Sequence, residues 1–435
     1  MDELYLTAIF LFVLFLLLGT GVWIGLALLG VAWVGMTLFT SRPAGDAMIT
    51  TIWTASSSWA LTALPLFIWM GEILFRTRLS EDMFRGLSPW LANLPGRLLH
   101  TNIVGCTVFA AVSGSSAATV VTVGKMSIPE LRARGYPEPL IVGSLAGAGT
   151  LGLMIPPSLT LIVYGVTINE SISKLFIAGV FPGLVLAGLF MGYVAVWSLL
   201  RPDQVPPEPT MSLRGKLEHS RFLIPVVCLI LAVLGSIYLG FATATEAASF
   251  GVIGALVLAL AQGSLTWESF VASLMGATRT SCMIALILAG AAFLALAMGF
   301  TGLPRALAEW IAALELSPIM LIAALTVFYI ILGCFLDGIS SVVLTMAVVE
   351  PMIRHVGIDV IWFGIFIVVV VEMAQITPPV GFNLFVLQGM TGHEINYIAL
   401  TALPFFFLMC AMVVILVAFP ELATWLPETM RQAPG

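Results

Sequence analysis

Two short polar strings interrupt an otherwise apolar chain, and both are rich in oxygen. SGSSAAT (113–119) carries serine hydroxyls at Ser113, Ser115 and Ser116, while DGISS (337–341) carries the Asp337 carboxylate and the hydroxyls of Ser340 and Ser341. Hard cations take oxygen ligands, and a tip turning at mid-membrane exposes carbonyls as well. Each string precedes a tandem proline: Pro156-Pro157 comes 43 residues after Ser113, and Pro378-Pro379 comes 41 after Asp337. Proline removes a backbone donor and disfavours helix in the residue before it, so GTLGLMIPPSLTLIVYG and VVVVEMAQITPPVGFNLF should both unwind in the middle. Carbonyls freed at such breaks coordinate Na⁺, and the half-helix N-terminus beyond favours anions. Ser158, Thr377 and Asn383 stand beside the breaks and can complete an ion's shell, although Asn383 equally suits a helix cap. A proline kink or tight small-residue packing accounts for any one of these features alone; two breaks, each paired with a polar tip, point to ion sites.

Other chemistry is sparse. Glu72, Glu246, Asp337 and Glu372 lie within apolar runs, where charge is a functional signal by default. Glu72 has Arg76 four residues on and can simply pair with it. Glu246 follows FATAT at a span start, where transport and helix capping both fit, and Glu372 stands five residues before Thr377 with no assigned role. Arg279 precedes an apolar run and can read lipid headgroups or an anionic substrate. The nearest approach to a phosphate loop, TVVTVGKMS (119–127), has Met126 where Ser or Thr is needed. His393-Glu394 lacks a second histidine, the four histidines are scattered, and the five cysteines stand singly. ATP hydrolysis, haem or zinc chemistry and a disulfide framework have no support, so the chain is read as no enzyme.

The elements that position these residues follow from hydropathy and charge. Of 435 residues, 60% are hydrophobic and 9% charged, against about 25% charged in a soluble domain, and the mean hydropathy is +1.09. This describes an all-α polytopic membrane protein lying in a lipid bilayer. A net charge of −6 without a basic cluster excludes a nucleic-acid partner. The opening MDELYLTAIFLFVLF lacks a basic region and a cleavage site, which makes it a first span rather than a signal peptide. Three basic groups should face the cytoplasm: Arg76, Arg78, Arg85 and Arg97; Lys125, Arg132 and Arg134; and Arg201, Arg214, Lys216 and Arg221. The apolar run 97–125 then has both ends on one side, so it is a re-entrant hairpin turning at 113–116.

Spans are expected at about 4–18, 22–40, 51–75, 138–168 and 175–200, then at about 222–240, 244–262, 281–300, 360–391 and 397–420. A second hairpin, about 321–349, enters from outside between Arg305, Glu309, Glu315 and Glu350, Arg354, Asp359. Residues 201–221 form a cytoplasmic linker and 421–435 a tail. The halves 1–200 and 222–420 match at an offset of 222: Arg134–Pro137 falls on Val356–Asp359, and Phe181-Pro182 on Leu403-Pro404. Five spans and one hairpin per half make the repeats inverted, which is a secondary-transporter architecture. Both termini then lie in the periplasm.

NIVGCTVFAAVSGSSAATVVTVGKMSIPELRARGYP, GTLGLMIPPSLTLIVYGV, LFIAGVFPG, ATATEAASFGVIGAL and ITPPVGFNLFV, in that order over nearly the whole chain, resemble the large membrane subunit of tripartite ATP-independent periplasmic (TRAP) transporters, dicarboxylate-carrier type. The resemblance implies an elevator-type fold of the ion-transporter superfamily, in which two hairpins and two broken helices move against a scaffold. It implies Na⁺-driven import of a small organic acid, such as a C4-dicarboxylate or sugar acid, across the bacterial inner membrane. One Na⁺ would involve Ser113, Gly114, Ser115 and Ser116 with Gly149, Thr150, Pro156 and Ser158. A second would involve Asp337, Gly338, Ser340 and Ser341 with Thr377, Pro378, Gly381 and Asn383. Substrate would lie between the tips, with Ser116, Asp337, Glu246 and Arg279 as candidate substrate or coupling contacts. Thr160 departs from the resemblance, standing where a proline or small apolar residue is expected. The implied partners are a separate small membrane subunit of four helices and a periplasmic substrate-binding protein. A stand-alone carrier or antiporter of the same superfamily, needing no binding protein, is the alternative; a channel and a membrane enzyme or scaffold are the remaining classes.

Overall fold

A computed structural model describes residues 3–77, 79–208, 211–302 and 317–430, and within them the chain is helical with no strand. The first half runs α1 (Glu3–Gly19), α2 (Ile24–Phe39), α3 (Ala44–Ser56), α4 (Ala63–Arg76) and α5 (Leu79–Leu91). A helical hairpin, α6 (His100–Ser113) and α7 (Ser116–Ala133), follows. The interrupted run α8 (Glu138–Gly149), α9 (Leu151–Met154) and α10 (Leu159–Ile168) comes next, and α11 (Ile172–Leu200) closes the half. The second half begins with α12 (Leu213–Ser220), α13 (Ile224–Tyr238), α14 (Ala244–Ala261) and α15 (Trp267–Thr301). It continues with the hairpin α16 (Pro318–Gly333) and α17 (Gly338–His355), then the interrupted pair α18 (Val360–Gln375) and α19 (Phe382–Thr391). α20 (Ile395–Ala418) and α21 (Glu421–Thr429) complete it.

Both proline pairs break their helices. The backbone leaves the helix from Ile155 to Ser158 and again from Ile376 to Gly381. In the most apolar stretch of Glu138–Ile168, 89% of residues are buried, against 33% for Ile395–Ala418. The broken element is thus lodged in protein, the only place irregular backbone is tolerated at membrane depth. Apolar residues such as Phe12, Phe15, Ile253, Phe407 and Val414 are exposed instead, as a lipid-facing surface requires.

Element boundaries recur along the chain. α7 and α17 each have 18 residues and start at Ser116 and Gly338, 222 apart. α8 and α18 start 222 apart as well, at Glu138 and Val360. Packing across the halves is reciprocal: α10 lies on α17 as α19 lies on α7, and α8 lies on α20 as α18 lies on α11.

Several expectations are revised. Among the described residues six helices are long and apolar enough to cross a membrane, or seven if α12 and α13 count as one bent span; of the ten expected spans, those at α1, α2 and α18 form shorter apolar helices, as does the hairpin arm α16. The single span over 51–75 is instead α3, a short 3₁₀ turn over Trp59–Thr62, and α4. Ser56, Ser57 and Ser58 favour turns over helix interior there. α5 was not expected, because Ser80, Glu81, Asp82 and Arg85 make LSEDMFRGLSPWL too polar for a span. The polar linker contains α12, which meets α13 at a 59° bend. α15 begins well before 281, and residues 421–429 of the tail are helical. Arg78, Arg305, Glu309 and Glu315 lie outside the described residues.

Members of two of the basic groups are tied to the linker that carries the third. Arg97 donates to the Pro206 carbonyl, Arg134 pairs with Glu208, and Tyr136 donates to Glu208 at 3.0 Å. Trp90 donates to Ser220 at 2.8 Å, tying α5 to α12.

Candidate functional site

The tip of the first hairpin turns through Gly114 at φ +58°, a left-handed conformation that glycine adopts without a Cβ clash. Ser115 caps α7 by accepting from the Ala118 N–H, and Ser158 caps α10 by accepting from the Leu161 N–H. The tip then closes on its own break. The Leu159 N–H points at the Gly114 carbonyl at 3.5 Å, and a Cβ on Gly114 would stand 2.8 Å from the Pro157 carbonyl oxygen. Gly152, on α9, admits the tip from the other side: its Cβ would stand 2.6 Å from Ser116 Cα and 2.7 Å from the Ser115 carbonyl oxygen.

The second tip repeats this scheme with different chemistry. Asp337 caps α17, accepting from the Ile339 N–H at 3.1 Å and the Ser340 N–H at 3.3 Å, and the Ser340 hydroxyl donates to its other oxygen. Cys334 donates to the Pro378 carbonyl at 3.3 Å, and Gln375 donates to the Leu336 carbonyl at 3.5 Å. The two assemblies touch. A Cβ on Gly338 would stand 3.8 Å from Thr160 Oγ1, and one on Gly149 would stand 3.8 Å from Asn383 Nδ2.

Between them lies a set of unpaired polar atoms. Ser116 Oγ, Thr160 Oγ1, Ser341 Oγ, both Glu372 oxygens and both polar atoms of Asn383 are buried without a hydrogen-bond partner. They supply seven of the thirteen such atoms among the described residues, and they belong to the two hairpins and the two broken helices. Buried polar groups are nearly always paired in a folded protein, so a local excess marks where a ligand completes the bonding. The donors are oxygens, apart from one amide nitrogen, which suits hard cations and a polar solute.

The sequence-derived residues divide accordingly. Ser116, Ser341 and Asn383 carry buried, unpaired polar atoms, and Asn383 forms no helix cap. Ser113 bonds Thr119 Oγ1 at 2.8 Å, Thr150 donates to the Gly147 carbonyl at 2.6 Å, and Thr377 donates to the Met373 carbonyl at 2.7 Å. These hydroxyls keep lone pairs free, but their protons are committed. Pro156, Pro378, Gly338 and Gly381 shape the breaks and the second tip. Glu246 is placed elsewhere: it is exposed and closes a capping box with Thr243 on α14, which packs on α4 and α13. Arg279 lies on the exposed face of α15, two turns from Ser273, which accepts from Trp69 of α4. Glu72 pairs with Arg76 at 2.8 Å. Glu372, Thr160 and Gly152 enter the site without having been assigned to it; a lone acid in VVVVEMAQ is the one signal that was available.

A cleft of about 620 Å³ opens beside these elements, between α3 and α15 on one side and α10 and α17 on the other. Thr50, Thr51, Thr54, Ser58 and Thr167 line it with hydroxyls, and Glu350 stands among them.

Residues 11–422 match the family model described as the tripartite ATP-independent periplasmic transporter, DctM component. The chain belongs to this family. It is a transporter permease component in a multi-pass membrane fold, and not an enzyme. A C4-dicarboxylate TRAP transporter large permease protein of Pseudomonas aeruginosa is 31% identical, over 87% of this chain and 88% of that one. The isethionate TRAP transporter permease protein DctMQ of Oleidesulfovibrio alaskensis is also 31% identical, over 94% of this chain but 64% of the longer relative. An ectoine/5-hydroxyectoine TRAP transporter large permease protein of Ruegeria pomeroyi is 29% identical over 85% of this chain and 86% of that one. Among solved structures, the YdaH transporter of Alcanivorax borkumensis superposes with a TM-score of 0.69, at 13% identity, over 93% of this chain and 98% of its own. At that identity the likeness concerns the fold alone.

Proposed function

We propose that this DctM-family chain imports a small organic acid with Na⁺, as the large membrane subunit of a tripartite transporter in the bacterial inner membrane. The observation that carries the reading is the cluster of buried, unpaired oxygens between two hairpin tips and two broken helices. One Na⁺ binds at the first tip and break, around Ser113–Ser116, Gly149, Thr150, Pro156 and Ser158. A second binds around Asp337, Gly338, Ser340, Ser341, Thr377, Pro378, Gly381 and Asn383, and substrate lies between them. The halves are inverted repeats: reciprocal contacts of the kind α10 on α17 and α19 on α7 belong to a two-fold axis within the chain. Hairpins and broken helices move as one body against the other helices, and the hydroxyl-lined cleft is the route to the chamber. A separate small membrane subunit completes the scaffold, and a periplasmic binding protein delivers the substrate.

C4-dicarboxylates, isethionate and ectoine, the solutes named for the relatives, are all small and bear an anionic group, which ectoine alone offsets with a cationic group of its own. The deciding test is uptake into proteoliposomes holding this chain and its small subunit. An inward Na⁺ gradient is imposed with and without the binding protein, over a panel of labelled acids. Dependence on both supports the tripartite reading. Dependence on Na⁺ alone transfers support to a self-sufficient carrier, and saturable uptake indifferent to Na⁺ removes the ion coupling.

Topology is tested separately. Arg97→Cys and Lys125→Cys should both label from the cytoplasmic side with an impermeant reagent; labelling from opposite sides turns the first hairpin into a span and undoes the inversion. Thr160→Val removes the one hydroxyl at the departing position while keeping its shape. It should change KM for substrate several-fold with the Na⁺ dependence unaltered, and an unchanged KM takes Thr160 off the substrate surface.

A further inference from the structure

The two ion sites proposed above are unequal in charge. The second contains Asp337, whereas every residue assigned to the first is neutral, which leaves a cation there with no counter-charge of its own. Glu372 stands beside it. It lies in the last turn of α18, belongs to the other half of the chain, and is 1% exposed. Neither of its oxygens has a hydrogen-bond partner. The Ser116 hydroxyl at the first hairpin tip lies within interaction range of this carboxyl, although it makes no hydrogen bond of ordinary geometry with it or with any other group. A buried carboxyl with no partner is a poor structural element, since desolvation is uncompensated whichever form it takes. The partial negative charge at the C-terminal end of α18 adds to that of Glu372 and attracts a cation to the same place.

We propose that Glu372 is the anionic ligand of the first Na⁺, held against Ser116, so that each tip has one carboxylate and the first borrows its own from the opposite repeat. This rests on the Na⁺-coupled reading above. The ion joins α7 to α18, and the residue next to Glu372, Val371, packs where a Cβ on Gly338 would stand 2.9 Å away. Loss of this Na⁺ therefore loosens the first hairpin from the helix that also supports the second tip. Two Na⁺ then cancel two carboxylates in the loaded chamber. The loaded chamber then carries only the substrate's own negative charge, while the empty chamber carries two, which an inside-negative membrane voltage draws outward on the return step.

Direct Na⁺ binding decides the matter without any substrate. The full chain with its small subunit, in lipid nanodiscs, is titrated with Na⁺ against a K⁺ background, reading bound Na⁺ by calorimetry and Tm by scanning fluorimetry. The wild type should bind two Na⁺ and gain Tm with concentration. Glu372→Gln should lose one of them, or weaken it about tenfold or more, and the double variant with Asp337→Asn should lose the Na⁺-dependent gain in Tm altogether. Ser116→Ala, which perturbs folding least, should weaken the same ion. Wild-type Na⁺ binding retained in Glu372→Gln overturns the assignment while leaving Na⁺ coupling in place; a wild type that binds no Na⁺ overturns both. If Glu372→Gln does not fold, unchanged Na⁺ affinity in Ser116→Ala overturns the shared site.

Discussion

Asp337→Asn is expected to weaken the apparent Na⁺ affinity of uptake by about tenfold or more, the scale of one charge-assisted contact, with expression and Tm near wild type. The choice of Asn rests on the two jobs that Asp337 performs. Its carboxyl caps α17 through the Ile339 and Ser340 N–H groups, and it is the only charged group in the set proposed for the second ion. Asparagine ranks with aspartate as an N-cap, so the substitution keeps the hairpin arm intact and removes only the charge. Asp337→Ala removes both, and should add a cap loss of about 1 kcal/mol in stability. The comparison separates ion binding from folding: equal effects of the two variants on Na⁺ affinity, with Tm lowered only by Ala, is the expected pattern. Unchanged Na⁺ dependence in Asp337→Asn removes this residue from the ion site. The contact is accessible, since Asp337, Pro378, Pro379 and Val380 are exposed, so the measured effect should fall at the lower end for a charge-assisted bond.

That exposure has no counterpart at the first tip, where residues 151–165 are buried throughout. Sequence patterning presents the two halves as equivalents, and the difference arises only when they pack. What patterning did carry was local: proline pairs unwind helices, SGSS turns at Gly114 and caps the next arm through Ser115, DGISS caps its arm through Asp337, and offsets of 222 place equivalent elements. The same logic singled out Ser116, Ser341 and Asn383, whose polar atoms are buried and unpaired, because polar side chains are conspicuous in an apolar run. It missed residues whose role depends on a partner far along the chain. Glu372 stands out as a lone acid in an apolar run but has no assignable role until α18 is set against Ser116, some 250 positions earlier in the sequence. Glu246 shows the reverse case, left open in the sequence between transport and helix capping. Its intramembrane setting suggested transport, but the Thr243 box that it closes is local and sufficient to explain an acid in the first turn of α14.

Gly152→Ala should reduce Na⁺-driven uptake on the order of ten- to a hundredfold at equal expression. The added methyl would lie 2.6 Å from Ser116 Cα, 2.7 Å from the Ser115 carbonyl oxygen and 2.8 Å from the Ser115 carbonyl carbon. All three are backbone atoms, so no rotamer change relieves the contact; the first hairpin tip must move off α9 or α9 must distort. Overpacking of a close-packed interior costs about 1–3 kcal/mol, which corresponds to that range if the closed tip is the ion-binding state. Gly147→Ala also meets atoms, but they belong to the Phe405 ring, the nearest at 2.5 Å, and α8 there packs on α20 rather than on a tip. Its effect should appear in Tm more than in Na⁺ affinity. Gly192→Ala, with nothing within 4 Å, should match the wild type in both. The three variants make the same chemical change in three surroundings, so a graded result isolates the contact between tip and break. Wild-type uptake by Gly152→Ala means that the tip stands clear of α9 when the ion is bound, and the first ion site as assembled here is then wrong.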